Sequence, residues 1–141
     1  LESKGILENS VEDSLNLYVQ MCSLSVTAAS LAGFGLVLAC DGVNPITGER
    51  LLHSWVVQTV KTIMLTCGMY DGSGKFAVEV GVPSKSGVGG GILSVVDKRM
   101  GIGIFGPSLD RKGNSIGGQH VLQKLSAKLK LHMFADNVPE L

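Results

Sequence analysis

Apolar residues recur at helical spacing through the first half of the chain and at strand spacing through much of the second. Ser10 precedes Glu12 and Asp13, a capping oxygen followed by acids suited to the positive end of a helix dipole. Leu15, Tyr18, Val19 and Cys22 then repeat on one face, which predicts a helix with Tyr18 turned inward. A second helix is predicted from about Ser25 to Cys40, with Val26, Ala29, Gly33, Val37 and Cys40 as its stripe. Its many small residues, Ala28, Ala32 and Gly35 among them, leave room for other elements to pack close. Asp41-Gly42 and Asn44-Pro45 end it. A third helix begins at Ser54, turns Val56, Val60, Ile63, Met64 and Cys67 inward, and reaches a C-cap at Gly68.

After Gly68 the pattern changes. Asp71-Gly72-Ser73-Gly74 reads as a turn, and Phe76, Val78 and Val80 alternate along a predicted strand. Gly89 to Val96 and Gly101 to Phe105 are two further strands, joined by a polar turn at Asp97-Lys98-Arg99. Leu109 to Asn114 is a loop, and a closing helix from about Ser115 to Leu131 aligns Val121, Leu122, Leu125 and Leu129. Helices, then a three-stranded antiparallel meander, then a covering helix give an α+β class with a helix on one sheet face.

Composition narrows the possibilities. The 141 residues form one domain or a portion of one, and 45% hydrophobic against 17% charged residues marks a globular chain. Twelve basic and 12 acidic residues balance, with no basic stripe or aromatic stacking platform, which argues against nucleic acid as a partner. Ser14 to Cys40 carries no Asp, Glu, Lys or Arg. Yet Asn16, Gln20, Ser23, Ser25, Thr27 and Ser30 interrupt it, so it reads as two buried helices rather than a membrane span. Cys22, Cys40 and Cys67 are odd in number and lack CxxC spacing, which predicts reduced, buried thiols in a cytoplasmic protein. His53, His120 and His132 show no metal-ligand spacing and are expected at or near the surface. The chain opens on Leu1 rather than methionine, and we expect it to continue upstream.

Chemistry concentrates in Gly68-Met69-Tyr70-Asp71 and in Pro83-Ser84-Lys85-Ser86-Gly87-Val88-Gly89-Gly90-Gly91. A Lys-Ser-Gly on a strand is similar to the Lys-Thr-Gly element of β-lactamases and penicillin-binding proteins, where lysine and hydroxyl line the pocket and the strand edge offers N–H groups to an acyl oxygen. Small residues after it let a substrate lie against the backbone. Taken alone the tripeptide is equally a glycine-rich turn leading into a strand, and a tyrosine at helical spacing is more often core than ligand.

Five ordered segments go further. Tyr18-Val19-Gln20-Met21-Cys22-Ser23, Gly42 to Glu49, Cys67 to Gly74, Lys85 to Ile92 and Leu109 to Ser115 closely resemble the glutaminase family in its own order, covering most of the chain from Tyr18 to about Leu131. The resemblance implies a β-lactamase/DD-peptidase-like fold, of which residues 1–141 are the C-terminal portion. It also implies L-glutamine as substrate, serine acyl-transfer chemistry without a cofactor or metal, no membrane partner, and homodimers or homotetramers in the cytoplasm. It further implies that Tyr18 contacts bound glutamine, that Tyr70 lies beside the nucleophile as a proton-transfer partner, and that the Val88 N–H forms part of an oxyanion hole. Lys85, Ser86 and Gly87 support that hole. Two departures stand out: no Ser-x-x-Lys occurs in the 141 residues, and Gly106 replaces a serine common in the family before Pro107. The chain by itself is therefore expected to be inactive. A related β-lactamase-like serine hydrolase, or a non-catalytic assembly module, are the alternative readings.

Overall fold

Along Met100-Gly101-Ile102-Gly103-Ile104, bulky side chains alternate with none, and the layering of the molecule follows from that alternation. The computed structural model describes residues 1–135. In chain order it has helices α1 (Val11–Cys22), α2 (Ala28–Ala39), α3 (Ser54–Cys67) and α4 (Ser73–Glu79), strands β1 (Ser84–Ser86), β2 (Gly91–Val96) and β3 (Met100–Phe105), and helix α5 (Ile116–Leu129). Single 3₁₀ turns lie at Glu2–Lys4 and Tyr70–Gly72. The strands form an antiparallel meander in the order β1-β2-β3, with Ser86 opposite Ile92 and Ile92 opposite Ile104.

Successive strand residues point to opposite faces. On one face Leu93 and Val95 of β2 lie beside Gly103 and Gly101 of β3, and the missing side chains admit the backbone of α2. A Cβ on Gly101 would fall 2.2 Å from Ala32 O, and one on Gly103 would fall 2.0 Å from Ala28 O. The small residues of α2 thus meet a strand equally free of side chains. Leu38, Ala39, Val57, Met64, Leu93 and Val95 make the core on this side. On the other face Ile92 and Val96 join Met69, Phe76, Val80, Val82, Leu122 and Leu131 in a second core, with Met100, Ile102 and Ile104 packed against it. Helices therefore cover both faces of the sheet, not one.

Several expectations change. Phe76 to Glu79 lies in helix α4, with Val80 as its C-cap, rather than in a strand: Phe76 and Val80 are buried, whereas Val78 between them is 79% exposed. Residues four apart share a helix face as readily as alternate residues share a strand face, and the core contacts of 76 and 80 select the helix. The first strand is instead Ser84–Ser86, too short and polar to announce itself. Helix α1 is capped as expected, the Ser10 side chain accepting from the Asp13 N–H, but none of its residues is buried. Tyr18 is 66% exposed, not inward, because nothing in the described residues covers the stripe it shares with Leu15 and Val19. In α3 the inward face is Val57, Val60 and Met64, and Ile63 is exposed. In α5 Leu122 and Ser126 are buried and Leu125 packs on the core, while Val121 and Leu129 are exposed. All three cysteines are free, but Cys22 and Cys67 are exposed and Cys40 half-buried, so they are not buried thiols.

Candidate active site

Strand β1 places Ser84 and Ser86 toward the interior and Lys85 outward. Ser84 Oγ donates to the Val82 carbonyl at 2.9 Å and lies 2.7 Å from Ser94 Oγ, which anchors β1 to β2. The Ser86 N–H donates to the Gly68 carbonyl at 3.0 Å, joining the strand to the segment that leads into Tyr70. Gly68 has an ordinary right-handed backbone, so its glycine is not needed for a left-handed cap. It is needed because a Cβ there would lie 1.9 Å from the Ser84 carbonyl oxygen.

Tyr70 holds a left-handed backbone at φ 50°, which costs on the order of 1–3 kcal/mol for a residue other than glycine. Its surroundings fix it there. The Met69 N–H donates to Ser73 Oγ at 2.9 Å, and Ser73 Oγ donates to the Tyr70 carbonyl at 2.7 Å. Asn114 Nδ2 donates to the Met69 carbonyl at 3.2 Å, and Lys112 Nζ to the Asp71 carbonyl at 3.1 Å. The side chain is exposed, with the Lys85 ammonium 4.9 Å from the ring centroid in cation–π range. Lys85 Nζ also donates to the Ser86 carbonyl.

Val88 does not start a strand. It lies in the tight turn after β1, where the Gly87 N–H donates to the Gly91 carbonyl at 3.0 Å and the Gly90 N–H to the Gly87 carbonyl at 2.9 Å. Its side chain is 72% exposed, and its own N–H has no acceptor among the described residues. Gly113 connects it to Tyr70: a Cβ there would sit 3.5 Å from the Tyr70 ring and 3.6 Å from Val88 Cγ1. The loop carrying Gly113 is organised by Asp110, whose Oδ1 accepts the Lys112 and Asn114 N–H groups at 2.8 and 3.0 Å while Oδ2 accepts from Gln119 Nε2. Those donors, the Asn114 N–H foremost, hold the Asp110 carboxyl below its usual range.

The structure thus brings Tyr70, Lys85, Ser86, Gly87 and Val88 to one end of β1. Tyr18 lies on α1, its phenol raised above the usual tyrosine value chiefly by its neighbour Cys22. Tyr70 is near enough to add a smaller effect. Ser86 Oγ and Asn114 Oδ1 are buried with no partner among the described residues. A cavity of about 480 Å³ lined by Lys61, Asp97, Arg99 and His132 shares no residue with this cluster. The roles of Asp110, Gly113 and Asn114 were not assigned from sequence, although an Asp followed at two and four residues by loop N–H groups is a recognisable side-chain-capped turn. At Gly106, the departure before Pro107, a Cβ would meet Ser115 Oγ, the hydroxyl that caps α5, at 2.6 Å.

The family model for glutaminase matches residues 1–134. The chain belongs to the glutaminase family. It is 58% identical over 134 residues to Glutaminase 2 of Clostridium perfringens, covering 95% of this chain and 44% of that protein. The glutaminase of Clostridium tetani is 54% identical over the same length and coverage. Among solved structures, a Bacillus subtilis glutaminase in covalent complex with 5-oxo-L-norleucine superposes with a TM-score of 0.93 at 41% identity, over 95% of this chain and 48% of that one. A Bacillus glutaminase in 4.3 M NaCl gives 0.92 at 42% identity, over 95% and 47%. The chain spans 44% of the length of the curated relatives it matches. Its helices and three-stranded antiparallel sheet match these glutaminase structures and bear out the α+β, β-lactamase-like class.

Proposed function

We propose that the whole protein hydrolyses the side-chain amide of L-glutamine to L-glutamate and ammonia, and that this chain, as the C-terminal portion of the domain, supplies one wall of the site. The convergence beyond β1 of Tyr70, Lys85 and a Val88 N–H with no acceptor among the described residues, in a chain of this family, carries the reading. A serine outside residues 1–141, deprotonated by a neighbouring lysine, attacks the amide carbon. The carbonyl electron pair moves to oxygen, and the Val88 N–H stabilises that oxyanion. Tyr70 passes a proton to the departing nitrogen, so that ammonia leaves as the carbonyl re-forms. Water then attacks the acyl-enzyme and gives its proton back to Tyr70, and glutamate departs as the lysine returns to the serine the proton it had taken. No cofactor enters this balance.

The Bacillus subtilis relative is described as a covalent adduct formed by reaction with 6-diazo-5-oxo-L-norleucine, which supports covalent catalysis. The exposure of Tyr18 supports a contact with ligand rather than core. Lys85, Ser86 and Gly87 serve as the rigid edge on which Val88 is presented. Three free cysteines support a reducing, cytoplasmic setting, and no helix among the described residues is long and apolar enough to cross a membrane. We assign L-glutamine as the partner in solution and a homodimer or homotetramer as the assembly.

The test uses the full-length protein. Tyr70→Phe lowers kcat by about 10²–10⁴-fold with little change in KM, the range for losing a proton-transfer group. Tyr18→Phe acts chiefly on KM. Unchanged kcat in Tyr70→Phe at normal thermal stability reduces that residue to packing, and a loss of kcat alone in Tyr18→Phe means the two roles are misassigned.

A further inference from the structure

We infer that Asn114 is a positioning residue for Tyr70: through its side-chain amide, the Asp110–Asn114 loop holds the tyrosine in its left-handed backbone and keeps the phenol beside Val88. The inference rests on the proton-transfer role proposed for Tyr70. Three observations carry it. Asn114 is 1% exposed and spends its amide N–H on the Met69 carbonyl, one residue before Tyr70. The same loop reaches the residue after Tyr70, through Lys112 Nζ on the Asp71 carbonyl. Gly113 between them faces both partners: a Cβ added there would lie 3.5 Å from the Tyr70 ring and 3.6 Å from Val88 Cγ1. One loop therefore braces the tyrosine on either side and spaces it from the turn that presents the Val88 N–H.

The loop is itself rigid. Asp110 accepts two of its backbone N–H groups and the Gln119 amide, and the Asp110 N–H closes it on the Asn114 carbonyl at 2.8 Å. Asn114 is not proposed to touch substrate. It acts by fixing where a catalytic phenol stands, and displacement of a reacting group by about 1 Å can cost on the order of 10²-fold in rate.

The experiment compares Asn114→Asp in the full-length enzyme with the same change in a Tyr70→Phe background. The carboxylate has the shape of the amide but no donor for the Met69 carbonyl, whereas its protonated form can donate. At neutral pH, kcat falls about 10- to 100-fold while KM moves less than about threefold. Relative to wild type, activity recovers as the pH falls toward the carboxyl range near about 4. In the Tyr70→Phe background the same change costs at most about threefold more, because the group it positions is already gone. Equal losses in both backgrounds, or no loss of kcat, overturn the positioning role alone. Wild-type kcat in Tyr70→Phe by itself overturns the proton-transfer reading and the inference with it. If Asn114→Asp does not fold, the exposed Lys112→Met removes the brace on Asp71. It is expected to lower kcat about threefold only when Tyr70 is present, and an equal effect in both backgrounds is again the refuting result.

Discussion

Replacing Gly103 by alanine tests how closely α2 lies on the sheet. The added Cβ would stand 2.0 Å from Ala28 O, 2.7 Å from Ala32 N and 2.9 Å from Leu31 Cβ. Two of these three are backbone atoms, which cannot swing aside as a side-chain tip can. Restoring a contact of roughly 3.5 Å pushes the start of α2 back by about 1.5 Å, and a gap of roughly 0.5–1 Å already forfeits a quarter to a half of a contact's dispersion energy. Overpacking of this kind costs about 1–3 kcal/mol, and a backbone obstruction places Gly103→Ala near the upper end. The lower entropy of the unfolded alanine chain returns about 0.4–1 kcal/mol, leaving a net loss of about 2 kcal/mol. Urea unfolding of the full-length protein, followed by far-UV circular dichroism, reads this as a lower midpoint. Gly74→Ala in α4 is the control: nothing lies within 4 Å of its added Cβ, and alanine in a helix gains up to about 1 kcal/mol. A Gly103→Ala protein within about 0.5 kcal/mol of wild type would refute the close approach of α2.

Three further predictions concern the site. A backbone ester at position 88 removes the N–H and keeps the side chain; we expect near-normal glutamine binding with kcat lower by about 10²–10³-fold, whereas Val88→Ala keeps most activity. Wild-type acylation in the ester variant, measured by single-turnover kinetics, would place the oxyanion donor elsewhere. Asp110 has a depressed carboxyl in the folded chain. Its contribution to stability is therefore complete above its unfolded value of roughly 3.9 and is lost as the pH falls through the folded value. Asp110→Asn should flatten the fall in thermal midpoint on the acid side, and an unchanged acid profile would show that the loop does not depend on the carboxylate. Purified residues 1–141 should release no ammonia from glutamine, since they contain no Ser-x-x-Lys. Release abolished by a substitution within the chain would overturn this.

Legibility along the chain followed the range of the interactions involved. The cap at Ser10 is settled within four residues and was readable, as was the start of the closing helix near Ser115. Phe76-Ala77-Val78-Glu79-Val80 suited two periods at once, and only the core decided for the helix. The inward face of α1 was inferred from spacing that is real, but a stripe turns inward only where something covers it, and the described residues provide no cover. At the site, Tyr70 and Val88 were visible because their segments resemble a family. Their surroundings were not, since Asn114 and Met69 meet across 45 positions of sequence. The exposure of Val88 in a turn also escaped the pattern, because that turn is closed by backbone bonds of Gly87 and Gly90 that side-chain spacing does not announce.

The backbone of Tyr70 has a consequence for anyone improving this protein. Glycine, or to a lesser degree asparagine, would occupy a φ of 50° with less strain, so a library ranked by heat resistance will drift toward those residues at position 70. Each step up such a ranking, worth about 1–3 kcal/mol at most, discards the phenol. Robustness and turnover thus pull in opposite directions at this one codon, and an engineering campaign should hold it fixed and look for its gains elsewhere.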